Sequence, residues 1–198
     1  MTSMSHRAST PAVQPTLRRP RVWAWPLAII LGFPIGGLIA NLIVGAVDSV
    51  GAALAGGLIA GVVIGGAQWL ALRRVVPRMW IAATGIGMAA GLTLGAVLVD
   101  YGIGRVDLML MGAVTGAVIG ALQGLVLLRQ RISGAAWWAV AQPPAWALAW
   151  LVSSYVITAN IDERFTNFGA SGCLVFALVT SLLLEWMFRR TEAQAPTR

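Results

Sequence analysis

Three polar side chains interrupt long apolar stretches of this chain and are its first candidates for chemistry. Gln68 and Gln123 are 55 residues apart, and Glu185 follows Gln123 by 62 residues. Inside a bilayer such groups are costly unless they are paired, and an ionisable group there is a functional-site candidate. Three interpretations are open. The side chains hydrogen-bond across helices, or Glu185 binds a proton, a cation or a substrate, or Glu185 pairs with a nearby arginine.

Prolines mark two places where helices are expected to be interrupted. Pro34 falls in the middle of the first apolar stretch, among glycines, and predicts a kink. Asn41, two turns further along, is then a polar contact near the kind of midplane break at which transporters bind substrates. Pro143 and Pro144 follow Gln142 in the fifth stretch, so that helix either begins at Pro143 or is broken, with free backbone carbonyls.

Tryptophans gather at one predicted boundary of the apolar stretches. Because tryptophan is enriched at membrane interfaces, interfacial anchoring accounts for the whole group without a ligand: Trp23, Trp25, Trp69, Trp80, Trp137, Trp138 and Trp186. Trp146 and Trp150 lie deeper in the fifth stretch. They either pack there or contact a pigment, a lipid or a partner helix.

Glycines spaced by four residues place small side chains on one face of several stretches. Such faces let helix backbones approach closely, which is how helices associate in lipid. The glycines expected to pack helices are Gly57, Gly61 and Gly65 in the second stretch and Gly112, Gly116 and Gly120 in the fourth. Gln68 and Gln123 each continue such a stripe, and Glu185 follows Ser181 by four residues, so all three side chains are expected to face the bundle interior.

The composition indicates the environment that holds these residues. Hydrophobic residues make up 58% of the chain and charged residues 11%, with a mean hydropathy of +0.80. Too little polar surface is left to cover a soluble globule of this length. Six windows reach the roughly 20 apolar residues that a membrane-spanning helix needs: 23–47, 52–72, 80–99, 107–128, 136–159 and 168–188. We predict an all-α integral membrane bundle of six transmembrane helices.

Basic residues predict the orientation of this bundle. Twelve of the 14 arginines precede the first window, follow the last one, or lie in the second and fourth connections, whereas most acidic residues lie on the opposite side. By the positive-inside rule both termini are cytoplasmic. Residues 1–21 are expected to be a disordered basic cytoplasmic tail, residues 22–190 the transmembrane domain, and residues 191–198 a cytoplasmic tail.

The chain also repeats itself. Trp23, Trp80 and Trp137 are spaced by 57 residues, and each opens an apolar hairpin. The segment 61–74 is similar in sequence to the segment 116–129. Self-similarity at a fixed period is typical of a duplicated supersecondary unit. We predict three helical-hairpin repeats that enter the membrane from the same side, at 22–74, 78–131 and 135–190.

Several classes of site are not expected. His6 lies in the N-terminal tail and Cys173 is the only cysteine, which leaves no ligand set for zinc or haem and no disulfide. With no catalytic constellation in the sequence, we expect no enzyme activity, no metal and no cofactor. The net charge of +7 reflects orientation rather than nucleic-acid binding. The basic clusters are expected to bind anionic lipid headgroups, at roughly 1 kcal/mol per arginine.

The segment 68–74, Gln-Trp-x-x-Leu-Arg-Arg after a glycine stripe, resembles a pattern of uncharacterised bacterial multi-pass membrane proteins. The resemblance implies a bacterial inner membrane and no particular activity. Dense glycine packing and the lack of a soluble domain favour a structural or accessory role in a membrane complex, with a membrane-protein partner or a homo-oligomer. The alternative is a small-molecule transporter, or the membrane-embedded substrate-binding subunit of one, that uses Pro34, Asn41, the break at Gln142 and Glu185. A lipid-active enzyme ranks third.

Overall fold

The computed structural model describes residues 23–156 and 172–194 of the chain. Within these two ranges the protein is entirely helical and contains no strand. The helices are, in chain order, α1 (Ala24–Val44), α2 (Val50–Leu72), α3 (Met79–Leu98), α4 (Arg105–Arg129), α5 (Ala135–Val156) and α6 (Gly172–Ala193). The predicted tail at 1–21, the start of the sixth window and the end of the chain lie outside the described residues.

Five of the described helices, all except α5, are long and apolar enough to cross a membrane. A succession of such helices indicates a multi-pass membrane protein. The remaining helix has a similar length, but it carries four tryptophans, two prolines and a glutamine. These residues lower its mean hydropathy.

The helices form a closed ring. Each one packs against the next along the chain, and α6 packs against both α5 and α1. Because successive helices run in opposite directions, the starts of α1, α3 and α5 lie at the same end of the ring as the ends of α2, α4 and α6. We call this end, which includes the arginine-bearing connections after α2 and α4, the inner end. The opposite end is called the outer end.

Backbones of neighbouring helices approach closely at the glycine stripes. A Cβ atom at Gly61 of α2 would lie 2.8 Å from a carbonyl oxygen of α3, and one at Gly91 of α3 would lie 2.7 Å from a Cα of α4. On α4, a Cβ at Gly116 would lie 2.6 Å from a carbonyl oxygen of α5. The same crowding by the next helix occurs at Gly57, Gly65, Gly87, Gly95, Gly112 and Gly120. These positions hold the helices in backbone contact, where van der Waals attraction is strongest.

Local sequence sets where several helices begin and end. The hydroxyl of Ser49 accepts a backbone N–H from the first turn of α2 at 3.3 Å, as an N-cap residue does. The carboxylate of Asp107 accepts the N–H of Gly104 at 3.1 Å at the start of α4, where negative charge is favourable. After α1, Gly45 takes a left-handed φ of 79° and donates its N–H to the carbonyl of Asn41.

Pro143 and Pro144 lie inside a helix that starts eight residues before them. α5 begins at Ala135 and continues through Pro143 and Pro144. The interpretation that this helix starts at Pro143 is therefore wrong. α1 is also a single helix that includes Pro34, and the kink expected there stays a prediction.

The neighbouring helix explains why α5 tolerates its prolines. Pro143 lacks the N–H that would bond the carbonyl of Ala139, so that carbonyl is freed from the helical ladder. A Cβ at Gly120 would lie 2.8 Å from this carbonyl oxygen, which shows that the glycine face of α4 covers it. In membrane helices such breaks are tolerated where neighbouring helices surround them.

The last helix continues beyond the predicted start of the C-terminal tail at 191. Its end is held against the connection that precedes α5. The hydroxyl of Thr191 accepts the N–H of Ser133 at 3.1 Å, and the hydroxyl of Ser133 donates to the side chain of Gln194. These contacts extend α6 to Ala193 and place its end beside the start of α5.

Candidate functional site

Two glutamine amides meet in the interior of the ring, between α2 and α4. The Nε2 group of Gln123 donates to Oε1 of Gln68 at 3.1 Å and to Oγ1 of Thr84 at 2.9 Å. All three residues are at most 2% exposed. The structure thus brings together two amides that are 55 positions apart in the sequence. Thr84, the residue between them in this network, was not singled out from the sequence.

Two indole groups also bond the oxygens of these amides. Trp80 donates its Nε1–H to Oε1 of Gln68 at 2.9 Å, and Trp138 donates to Oε1 of Gln123 at 3.0 Å. In both cases a tryptophan in the first turn of a helix bonds the glutamine of the preceding helix. Buried polar groups are costly without partners, so each side chain stabilises the placement of the other.

Three tryptophan rings meet beside the amides, and we call Trp25, Trp80 and Trp138 the tryptophan triad. The ring centroids lie 6.4 Å apart for Trp25 and Trp80, 5.6 Å for Trp25 and Trp138, and 5.9 Å for Trp80 and Trp138. These separations suit favourable edge and tilted ring contacts. All three side chains are fully buried. Interfacial anchoring is therefore wrong for these residues, whereas Trp23 and Trp137 are 65% and 59% exposed.

The third member of the triad bonds α6 instead of a glutamine. Trp25 donates its Nε1–H to the hydroxyl of Thr180 at 2.8 Å, and that hydroxyl donates to the carbonyl of Phe176 at 2.6 Å. Thr180 was missed in the sequence. Its position is 57 residues beyond Gln123, close to the 55-residue spacing of the two glutamines, and that spacing is the signal that identifies it.

Glu185 does not join the interior cluster. Its carboxylate accepts a hydrogen bond from Nε of Arg189 at 2.8 Å, and the two side chains are 41% and 73% exposed respectively. Of the three interpretations of Glu185, the structure contains the pair with an arginine. The expected interior position is wrong because α6 turns its Thr180 and Leu184 face towards the ring, and the next residue along a helix points away from that face.

The residues that were predicted to form a transport site do not lie next to one another. Asn41 lies in the last turn of α1, at the outer end, and is partly buried. Glu185 lies in the inner half of α6. Pro34 is partly buried in the middle of α1. These residues do not form one binding site.

Gln142 of α5 is fully buried and only half paired. Its Oε1 accepts the Nε1–H of Trp146 at 3.1 Å, within the same helix. Its Nε2 group has no hydrogen-bond partner among the described residues. Trp146 in turn packs against Phe33 and Phe176, with ring centroids 5.3 Å away in both cases. Trp146 is therefore a packing residue of the interior.

A cavity of about 40 Å³ lies on the axis of the ring. All six helices contribute to its wall, and the lining side chains are apolar apart from one thiol. Ile64, one turn from Gln68, and Trp146, two turns from Trp138, mark its inner boundary. Val47, in the connection after α1, also lines it. The cavity thus begins just beyond the tryptophan triad and extends towards the outer end.

Arginines at the inner end stack on aromatic rings. The guanidinium carbon of Arg78 lies 5.5 Å from the ring centroid of Trp69, and that of Arg190 lies 4.3 Å from the ring centroid of Trp186. Such cation–π contacts fix a guanidinium over an aromatic face. They place positive charge beside rings of the type that lie at the headgroup level of a membrane.

Comparison of the chain with protein-family models, with curated proteins and with solved structures finds no significant match. The function must therefore be argued from the geometry. Within residues 23–156 and 172–194, no group of three or more His, Cys, Asp and Glu side chains is placed to hold a metal ion. What the described interior offers is a network of neutral hydrogen bonds at the inner end and an apolar cavity beyond it.

Proposed function

We propose that the protein is a multi-pass protein of the bacterial inner membrane with a structural or accessory role in a membrane complex. In this proposal α5 crosses the membrane together with the other five helices, and both termini are cytoplasmic. The helical hairpins α1–α2, α3–α4 and α5–α6 are three repeats. The bacterial membrane is proposed from the resemblance of the segment 68–74 to multi-pass proteins of bacteria.

The tryptophan triad supports the three repeats. Each member lies in the first turn of the first helix of a hairpin, and its indole bonds a polar side chain on the second helix of another hairpin. The acceptors are Gln68, Gln123 and Thr180. One donor and one acceptor per hairpin are what a triplicated hairpin closed into a ring would produce.

The charges at the two ends of the ring support the orientation. Seven of the eight arginines among the described residues lie at the inner end, and Arg105 lies at the outer end; the seven are Arg73, Arg74, Arg78, Arg129, Arg131, Arg189 and Arg190. The outer end carries the acidic residues Asp48, Asp100 and Asp107. The positive-inside rule assigns the inner end to the cytoplasm. Anionic lipid headgroups are then the natural neighbours of these arginines.

One observation carries the accessory role: the described interior is built for fixed packing. Its amides, indoles and hydroxyls largely bond one another, and its helices touch backbone to backbone. Ionisable side chains of the described residues lie at helix ends, in connections or on exposed faces, apart from the cavity-lining Cys173. Such an interior suits a framework better than a coupled ion pathway, which places ionisable groups inside the bundle.

The surface of α1 offers a contact for a partner. Leu31, Ile35, Leu38 and Leu42, which we call the α1 ridge, are between 44% and 74% exposed. Their spacing of four, three and four residues is that of a helix-to-helix seam. Among the five candidate spans, α1 is the least buried within the ring. We assign to this ridge the contact with a membrane-protein partner or a second copy of the chain.

Native mass spectrometry of the protein extracted from its own membranes with a styrene–maleic acid copolymer tests the proposal. The wild-type chain should carry a stoichiometric protein partner or a second copy. The double substitution Ile35→Ala and Leu38→Ala should remove it. The control is Leu54→Ala with Leu58→Ala on the exposed face of α2, and it should retain the partner. A bare monomer in the wild-type sample, or equal loss in both variants, would rule out the assigned role.

The axial cavity favours a second candidate function, a small-molecule transporter or the membrane-embedded substrate-binding subunit of one. The same mass spectrum separates the two. A defined small molecule on a chain without any protein partner would favour binding or transport over the accessory role.

A further inference from the structure

We infer that the connection between α2 and α3 is a specific binding site for one anionic phospholipid, which it binds more tightly than the other basic parts of the inner end do. The inference deepens the proposed contact with anionic headgroups, and it rests only on the proposal that the inner end lies at a membrane surface. Three features of this connection support it: its unbalanced positive charge, the tryptophan that holds one of its arginines, and the exposed apolar side chains on its membrane side.

The connection concentrates positive charge without acidic neighbours. Arg73, Arg74 and Arg78 lie within six residues of one another and are all exposed. The nearest acidic residues in either direction along the chain are Asp48 and Asp100, and both lie at the outer end. Among the described residues, none of the three arginines pairs with a carboxylate. Their guanidinium groups can therefore bind a phosphate, whose oxygens accept paired hydrogen bonds from arginine.

The end of α6 is a basic region of a different kind. Its two arginines, Arg189 and Arg190, lie close in sequence to Glu185 and Glu192, so the formal charges of these described residues cancel. The carboxylate of Glu185 also accepts a hydrogen bond from Arg189 at 2.8 Å. Attraction to an anionic surface grows with the number of basic residues beside it. Three arginines without a nearby carboxylate therefore make the α2–α3 connection the stronger site.

Trp69 fixes one of the three arginines. The guanidinium carbon of Arg78 lies 5.5 Å from the ring centroid of Trp69, which is partly exposed in the last turn of α2. One turn earlier, a Cβ at Gly65 would lie 3.2 Å from the Cα of Ile81, so Trp69 lies beside the start of α3. Tryptophan rings favour the headgroup level of a membrane. The contact thus places a guanidinium at that level before a lipid binds, which reduces the cost of ordering it.

The membrane side of the connection can accept acyl chains. Leu70 of α2 and Met79 of α3 are 59% and 51% exposed. One turn from Leu70, towards the middle of the membrane, a Cβ at Gly66 would meet nothing within 4 Å. The surface below the arginines is therefore apolar and open. A phospholipid matches both the charge above and the apolar surface below, whereas a soluble anion would match only the charge.

Titration of the purified protein with defined lipids tests this inference. Native mass spectrometry in detergent should show one phosphatidylglycerol molecule that binds more tightly than phosphatidylcholine and more tightly than further phosphatidylglycerol molecules. Arg78→Gln should weaken this first binding step about fivefold, the equivalent of the roughly 1 kcal/mol that one arginine contributes near an anionic surface. Arg74→Gln should weaken it by a similar factor. Both side chains are exposed, so we expect both variants to fold.

The matched control is Arg190→Gln, because Arg190 also stacks on a tryptophan, at 4.3 Å from the ring centroid of Trp186. It should change the first binding step by less than about twofold, since neighbouring carboxylates already balance its charge. Equal weakening in Arg78→Gln and Arg190→Gln would mean that the lipid responds only to the total charge and would overturn the inference. A wild-type chain without preference for phosphatidylglycerol would overturn it as well.

Inorganic phosphate distinguishes a lipid from a soluble anion. Added at millimolar concentration and constant ionic strength, it should not displace the bound phosphatidylglycerol, because it has no acyl chains to lie along α2. Displacement would assign the site to a soluble anion and overturn the assignment to a lipid. The titration uses purified protein without any copurifying partner, so failure of the accessory role and failure of this site would be seen separately.

Discussion

The indole N–H of Trp25 bonds the hydroxyl of Thr180 at 2.8 Å, although the two residues are 155 positions apart in the sequence. This bond joins α1 to α6 and thereby closes the ring. Phe33 and Phe176 reinforce the same seam, with ring centroids 5.4 Å apart. Side-chain contacts thus join the closing seam, whereas glycines bring the helix backbones together in the seams between α2, α3, α4 and α5.

Thr180→Val should weaken the closing seam. Valine has the shape of threonine but leaves the indole of Trp25 buried without an acceptor, which costs about 1–3 kcal/mol. We expect that loss in the free energy of unfolding, measured by SDS titration in mixed micelles with circular dichroism as the readout. Thr93→Val is the control, because the Thr93 hydroxyl bonds only the carbonyl of Ala89 in its own helix. If both variants lost the same stability, the bond across the seam would be unimportant.

The two amides should be energetically coupled. Gln68→Leu and Gln123→Leu each leave polar partners unsatisfied, so the double variant should lose less stability than the two single variants together. Couplings between polar groups in membrane bundles average about 0.6 kcal/mol and reach about 1.7 kcal/mol, and we expect the upper part of that range for this fully buried pair. The measurement is a double-mutant cycle on unfolding free energies. Strict additivity would mean that the observed bond contributes nothing.

Alanine substitutions of two glycines on α2 should change the free energy of unfolding in opposite directions or by different amounts. Gly61→Ala places a methyl group 2.6 Å from Cβ of Met88 and should destabilise the bundle by about 1–3 kcal/mol through overpacking. Gly66→Ala, five positions along the same helix, meets nothing within 4 Å. It should be neutral or stabilising, because alanine has the higher helix propensity. Comparable losses in the two variants would contradict the close approach of α2 and α3.

Glu185→Gln should have little effect on the stability of the bundle or on the species that copurify with it. The pair with Arg189 is largely exposed, and exposed pairs contribute about 0–1 kcal/mol. We expect a change in unfolding free energy below about 1 kcal/mol and an unaltered set of copurifying species. A loss of several kcal/mol, or the disappearance of a bound molecule, would restore an interior role for this carboxylate.

The helices could be predicted from the sequence because properties of each local segment determine them. A long apolar segment must satisfy its backbone hydrogen bonds within itself in lipid, so its length and position predict a helix directly. The window 107–128 became Arg105–Arg129, and the window 52–72 became Val50–Leu72. The start of α5 at Ala135 also agrees with the window 136–159, and only the alternative start at Pro143 was wrong. Its prolines break the ladder locally, but α4 covers the freed carbonyl of Ala139, and that contact is invisible in the local sequence.

The assignment of the tryptophans failed for a different reason. Trp25 and Trp138 are buried, whereas a tryptophan close to each of them in the sequence, Trp23 or Trp137, is exposed. Hydropathy treats the members of each pair alike, and the equal spacing of 57 residues selected two exposed rings as repeat markers. Which of the two rings faces the interior depends on where an acceptor lies on another helix. Tertiary packing, and not local sequence, therefore determines it.

Glu185 was predicted to be the counterpart of Gln68 and Gln123 in the third hairpin because its side chain resembles glutamine. That prediction chose the wrong residue. Glu185 resembles a glutamine in shape, but it lies one position beyond the buried face that contains Leu184. Thr180 has the required spacing and supplies an acceptor from a much shorter side chain. A hydroxyl that bonds its own helix is easily passed over, because threonine in a helix needs no external partner.

Closure of the ring by α6 against α1 has a consequence for the order of the hairpins along the chain. The start of α1 and the end of α6 lie at the same end of the ring, as do the connections after α2 and α4. A circularly permuted chain that begins with α3, and in which a short linker joins α6 to α1, would have the same neighbours at every position. The order in which the hairpins are synthesised therefore does not change the contacts of the folded ring, since each indole bonds an acceptor on a different hairpin.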